Sequence, residues 1–115
     1  MYITGLDRVE KTIPQMEGAE RVYKQIPLGG KDGAPVFSFR VFTIMPGGHT
    51  PFHTHPYEHM NYVIEGKGVL VTEGKEYPIN EGDFVLVLPG EKHQYKNSLE
   101  DRELRIICAV PKEFE

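Results

Sequence analysis

Four of the five histidines in this 115-residue chain fall between residues 49 and 59, and the fifth is His93. His53 and His55 are one residue apart, so on an extended segment their side chains project to the same face. Pro56 then bends the chain, and His59 opens a run in which Asn61 and Val63 share its face. His93 follows the turn Leu88-Pro89-Gly90-Glu91-Lys92, from which a returning strand can deliver it to the other three. A lone surface His-x-His is usually solvated or part of a turn, but four convergent imidazoles make a metal site. Their nitrogens suit one divalent first-row ion, such as Mn, Fe, Co, Ni, Cu or Zn, whereas Ca and Mg prefer oxygen. His49 shares the parity of His53 and His55 and is read as a solvated surface residue.

To bring residues 53 to 59 and 93 together, the chain must fold back repeatedly over short distances. From Val36 onward it is a series of β-prone runs separated by Gly and Pro: VFSFRVFTIM, NYVIE, GVLVTE, KEYPI, FVLVL, HQYKN and ELRIICAV. None carries a 3.6-residue apolar period, and β-branched and aromatic residues suit a pleated, half-buried surface. The class is all-β, as a sandwich or a closed barrel, because either removes exposed strand edges. One domain is expected, with residues 1–35 as an arm with edge strands and 36–110 as the barrel. Within the arm, VEKTIPQMEGAE has room for one helical turn, and RVYKQI reads as an edge strand. In VFSFRVFTIM both faces are apolar, Phe37, Phe39 and Val41 on one and Val36, Phe42 and Ile44 on the other. A partner subunit covering one of them predicts a homodimer.

The 12 glycines and 9 prolines agree with many turns. A net charge of −4, without a Lys/Arg run, argues against nucleic acid as a partner. No apolar run approaches membrane-spanning length, and the start MYITGLDRVEK lacks the pattern of a secretory signal. The lone Cys108 excludes an intramolecular disulfide. A cytoplasmic protein is the expectation.

The spacing of Gly47, His53, His55 and Gly66 resembles the first cupin motif, G-x5-H-x-H-x3,4-E-x6-G. Gly82, Gly90, His93 and Asn97 resemble the second, G-x5-P-x-G-x2-H-x3-N, with Leu88 at the proline position and Pro89 one later. The resemblance implies a double-stranded β-helix, or jelly-roll barrel, with the metal inside. It also implies a glutamate ligand at position 59, where this chain has His59. Glu58 would restore the carboxylate in a shifted reading, but strand parity sends it to the opposite face. HTHPYEH together with His93 is similar to small single-domain cupins with four-histidine manganese centres, which implies manganese on His53, His55, His59 and His93. Iron, nickel, copper and zinc suit the same donors.

Neutral imidazoles would leave the ion's charge uncompensated, favouring Lewis acidity and anionic exogenous ligands. Leu104, Ile106, Cys108 and Val110 share one strand face, read as barrel interior. With Phe52, Ile106 and Cys108 are candidates for the wall of a substrate pocket. Arg40 interrupts an apolar face, and inward it would offer its bidentate fork to a carboxylate. One fold hosts many chemistries. An oxidative metalloenzyme using dioxygen or peroxide on a small organic substrate leads. A non-redox decarboxylase or isomerase, with Glu58 or Tyr95 as proton carrier, and a small-ligand binding module are the alternatives.

Overall fold

A computed structural model describes residues 1–115, and β2 (Phe37–His49) is the strand on which its architecture turns. The other strands are β1 (Glu20–Leu28), β3 (His59–Glu65), β4 (Lys67–Thr72), β5 (Lys75–Asn80), β6 (Phe84–Val87), β7 (Gln94–Asn97) and β8 (Leu104–Pro111). They form one antiparallel sheet in the order β5-β4-β7-β2-β8-β3-β6, with β1 on the other edge of β2. Residues 37–44 of β2 pair with β8, while its last residue, His49, pairs with Lys96 of β7. β2 thus joins two half-sheets that curl over one core, giving the expected all-β jelly-roll.

The core cluster is Val22, Ile44, Val63, Ile79, Tyr95, Leu104 and Ile106. Alternation explains it: Leu104, Ile106, Cys108 and Val110 are all buried on the inner face of β8. RVYKQI lies within β1, which pairs along β2 and sends Val22 into the core. The segment VEKTIPQMEGAE forms no helical turn; the arm's one 3-10 turn precedes it at Leu6–Arg8, held by the buried Gln25 through its bonds to the carbonyls of Leu6 and Val9. β2 differs most from its sequence pattern. It runs on through Pro46-Gly47-Gly48, and its inner face carries Ser38 and Arg40 beside Phe42 and Ile44, while Phe37 and Phe39 are exposed. No helix is long and apolar enough to cross a membrane.

Register places the inner rows. Arg40 on β2 lies opposite Cys108 on β8, which lies opposite Asn61 on β3. Directly opposed residues share a face, so these three side chains point inward together, and His59 follows two positions along β3.

Gly66 closes β3 with φ of 87°, and a Cβ there would lie 2.3 Å from the Glu103 carbonyl oxygen. Gly82 also has positive φ, 94°, but nothing lies within 4 Å of its virtual Cβ. We predict that Gly82→Ala costs about 1 kcal/mol and Gly66→Ala several times more, because backbone must also move. Urea denaturation of both variants checks this, and equal losses would contradict it.

Candidate metal centre

His53 and His93 meet through their backbones. The two N–H groups bond reciprocally to the two carbonyls at 3.1 and 3.0 Å, forming an isolated bridge. The Gly90 N–H donates to the His55 carbonyl at 3.0 Å, fastening the 88–93 turn over the first histidine pair. The ligand nitrogens of His53, His55 and His93 lie within 4.8 Å of one another.

Two of these rings have assigned proton positions. His55 Nδ1 lies 2.7 Å from the Tyr57 carbonyl and His93 Nδ1 lies 2.9 Å from the Glu91 carbonyl. A carbonyl only accepts, so each Nδ1 carries the proton and each Nε2 presents a lone pair. Those two Nε2 atoms face each other at 3.2 Å. Two lone pairs at that distance repel unless a cation lies between them. Ligands about 2.1 Å from a shared ion would be about 3 Å apart, so the donors fit a first-row metal.

The structure places His59 beside this cluster. Its ring stacks on His55 with centroids 3.8 Å apart, but its Nε2 lies 3.3 Å from Arg40 Nη2. Burial holds His59 far below the ordinary histidine range, to about 2, with further lowering from His55, Arg40, His93 and His53. His53 and His93 are also lowered, burial being the first cause in each. Glu58 is exposed, on the side away from the buried His59. His49 lies outside the site, near Glu20 and Gln94.

The histidines line a cavity of about 110 Å³, with Arg40, Tyr57, Asn61, Tyr95, Ile106 and Cys108 also in its wall. Ile106 and Cys108 line this cavity. Phe52 does not: it is 40% exposed, under the Lys92 ammonium 4.8 Å from its ring centre. An x-His-x-His segment alternates faces, so the residue before His53 points outward. Phe42 takes an apolar place in the wall instead. Tyr95 is buried, and its hydroxyl donates to Asn61 Oδ1 at 2.8 Å. Burial pushes its phenol well up, with Cys108 as the second cause, so the proton stays on.

Sequence reasoning gave Tyr57 no part. It stacks on His55 at 4.6 Å and under Phe114 at 4.1 Å, so the 3-10 turn Lys112–Phe114 closes one side of the site. Nothing in local patterning marks that contact, because Tyr57 lies in a bend and its partner is in the C-terminal turn.

Residues 40–110 match the protein family described as Cupin domain. The chain belongs to the cupin family. Among solved structures, this cupin is similar to the polyketide cyclase RemF from Streptomyces resistomycificus, at 27% identity and a TM-score of 0.91, covering 96% of this chain and 79% of that one. A Thermotoga maritima protein described as a predicted oxalate decarboxylase aligns at 23% identity and TM-score 0.82, covering 96% of this chain and 99% of the other. A sugar phosphate isomerase of the cupin superfamily from Silicibacter pomeroyi aligns at 21% and 0.80, covering 95% and 75%. The last two show the shared fold. No curated protein matches the sequence.

Acid should loosen this cupin in a defined window. His59 is lowered in the folded state, so the unfolded chain binds protons first as pH falls below about 6.5. Stability present above that pH is lost below it, by about 2 kcal/mol at pH 5 from His59 alone. Urea midpoints of metal-free protein at pH 7.5 and 5 test this. A midpoint unchanged in wild type, or falling equally in His59→Gln, would contradict the assignment.

Proposed function

We propose that this cupin is a metal-dependent enzyme. His53, His55 and His93 hold one first-row divalent ion, manganese being our first choice and iron, nickel, copper or zinc the alternatives, and His59 is the fourth ligand. The observation that carries this is the pair of unprotonated Nε2 atoms facing each other at 3.2 Å, each fixed by a backbone carbonyl behind it. A bound ion would supply Lewis acidity, polarising a carbonyl or carboxylate of a small organic substrate.

The residues support non-redox carbonyl chemistry first. Of the two proton carriers considered, Glu58 is exposed, and Tyr95, which lines the cavity, keeps its proton and so acts there as a hydrogen-bond donor and not as a base. Tyr95 and Asn61 offer substrate a neutral wall with an O–H held in place. Tyr57 and Phe114 exclude water from the face of His55. The likeness to a polyketide cyclase over 96% of this chain points the same way. Oxidation with dioxygen or peroxide is the second reading, favoured by the all-imidazole donors, which leave coordination positions free for an oxidant beside the substrate. A non-catalytic ligand-binding role would leave no turnover with any metal.

Metal analysis and metal replacement test these readings. His55→Ala and His93→Ala should each abolish stoichiometric metal uptake, His59→Ala should weaken it at least tenfold, and Glu58→Ala should leave it unchanged. Loss in Glu58→Ala with retention in His59→Ala would restore a carboxylate site. Turnover with zinc as well as manganese supports the non-redox reading, whereas turnover confined to manganese or iron with an oxidant supports the second.

We also propose a homodimer, with the outer face of β1-β2-β8-β3-β6 as its interface. Register aligns Leu28, Phe39, Ala109, Met60 and Leu86 in one row across these strands. Met60 and Leu86 are 60% and 59% exposed, and Phe84 next to them 83%. A contiguous exposed apolar face of this kind is characteristic of an interface. Sedimentation should give a dimer at micromolar concentration and a monomer for the double variant Phe39→Asp, Leu86→Asp. A monomeric wild type would end the proposal. The free thiol of Cys108 supports a reducing, cytoplasmic setting.

A further inference from the structure

Among the buried polar side chains, Arg40 alone carries a permanent charge, and it is only 6% exposed. The molecule's ion pairs do not include it, although the chain has 17 Asp and Glu residues. Its Nε is buried without any partner. Its Nη2 meets only neutral groups, Cys108 Sγ at 2.9 Å and His59 Nε2 at 3.3 Å, and its Nη1 makes a long 3.4 Å bond to the Phe114 carbonyl. Glu115 reaches the neighbouring Ser38 but is held there and by the Gly30 N–H. A buried guanidinium without a counter-ion destabilises a fold. This one also lines the histidine cavity, where a divalent ion would add charge of the same sign.

We infer that Arg40 is an anion-recognition residue: the cavity takes a small substrate bearing a carboxylate, which the guanidinium binds beside the metal ion. The inference rests on the metal centre proposed above and names the substrate class for it. The missing counter-charge is then the ligand's. A carboxylate fits because the planar fork offers two parallel N–H bonds to its two oxygens. Nε has no partner, and Nη2 has only the neutral Cys108 Sγ and His59 Nε2. The 110 Å³ volume selects small acids over large ones. His59 has a part in this recognition: once its Nε2 is used by an ion, Arg40 loses an acceptor and becomes freer for the substrate.

The probes are acetate and oxalate, with acetamide as a neutral control, titrated calorimetrically into metal-loaded and metal-free protein. Both carboxylates should bind and raise the melting temperature, and acetamide should do neither. Arg40→Met should keep its metal, melt no lower than wild type without ligand, and bind carboxylates at least tenfold more weakly. Arg40→Lys keeps the charge without the fork and should also lose at least tenfold. Carboxylate affinity within twofold of wild type in either variant would overturn the inference, since the ion alone would then hold the anion. So would a large drop in the melting temperature of Arg40→Met, which would make the arginine structural. Failure of wild type to take up metal would end the proposed centre instead, and the Arg40 dependence would be read on the metal-free protein.

Discussion

The reciprocal backbone bond between His53 and His93 is the constraint on which the site depends. It joins the segment after β2 to the turn before β7, which are 40 residues apart in sequence. Residues opposed in this way present side chains to the same face, so one pair of hydrogen bonds fixes which rings can meet. The alternation of β7 then sets Tyr95 and Asn97 on the inner face with His93, and both are buried. Asn97 in turn donates to the carbonyls of Ile44 and Arg102, tying β7 back to β2 and to the approach of β8. Metal donors and scaffold bonds therefore come from one strand face, and a displaced register would lose both.

Much of the fold was legible because alternation is a local property. The inner face of β8 followed from counting by two, as did the common face of His53 and His55. Residues Gly47, Gly66, Gly82 and Gly90 of the motifs all adopt positive φ; Gly66, Gly82 and Gly90 lie between strands, whereas β2 continues through Gly47. What alternation cannot encode is pairing between distant strands. That β2 would lie between β1 and β8, and so set Arg40 opposite Cys108, depends on register over 68 residues. Phe52 was misplaced because its apolar character suggested a pocket wall while its parity, opposite to His53, sent it to the surface. Arg40 was visible only as an interruption in an apolar strand, a signal that does not distinguish a defect from a function.

The histidines form two electrostatic classes. His55 and His93 each have Nδ1–H held by a backbone carbonyl, which leaves Nε2 as the donor toward an ion. His59 has no such support; its Nε2 faces a guanidinium that can only donate, so that nitrogen is the acceptor. A ring in contact with both the donor cluster and Arg40 couples the two halves of the cavity. This coupling exists because the chain has imidazole where the cupin motif has a carboxylate. A carboxylate at position 59 would neutralise Arg40 within the protein, whereas a neutral imidazole leaves that charge free.

Aromatic surface surrounds the site. The His55 ring packs against both His59 and Tyr57, with centroids 3.8 and 4.6 Å away; those two also meet each other at 5.5 Å, and Tyr57 stacks on Phe114 at 4.1 Å. Stacking orients His55 without adding charge, and it shields the neutral imidazoles from water that would otherwise compete for their lone pairs. Tyr57 in turn packs on the C-terminal turn, whose Phe114 carbonyl also accepts from Arg40. Movement of that turn would uncover Tyr57 and release one arm of the guanidinium together. The cover over Tyr57 and one partner of the charged wall thus come from one short segment.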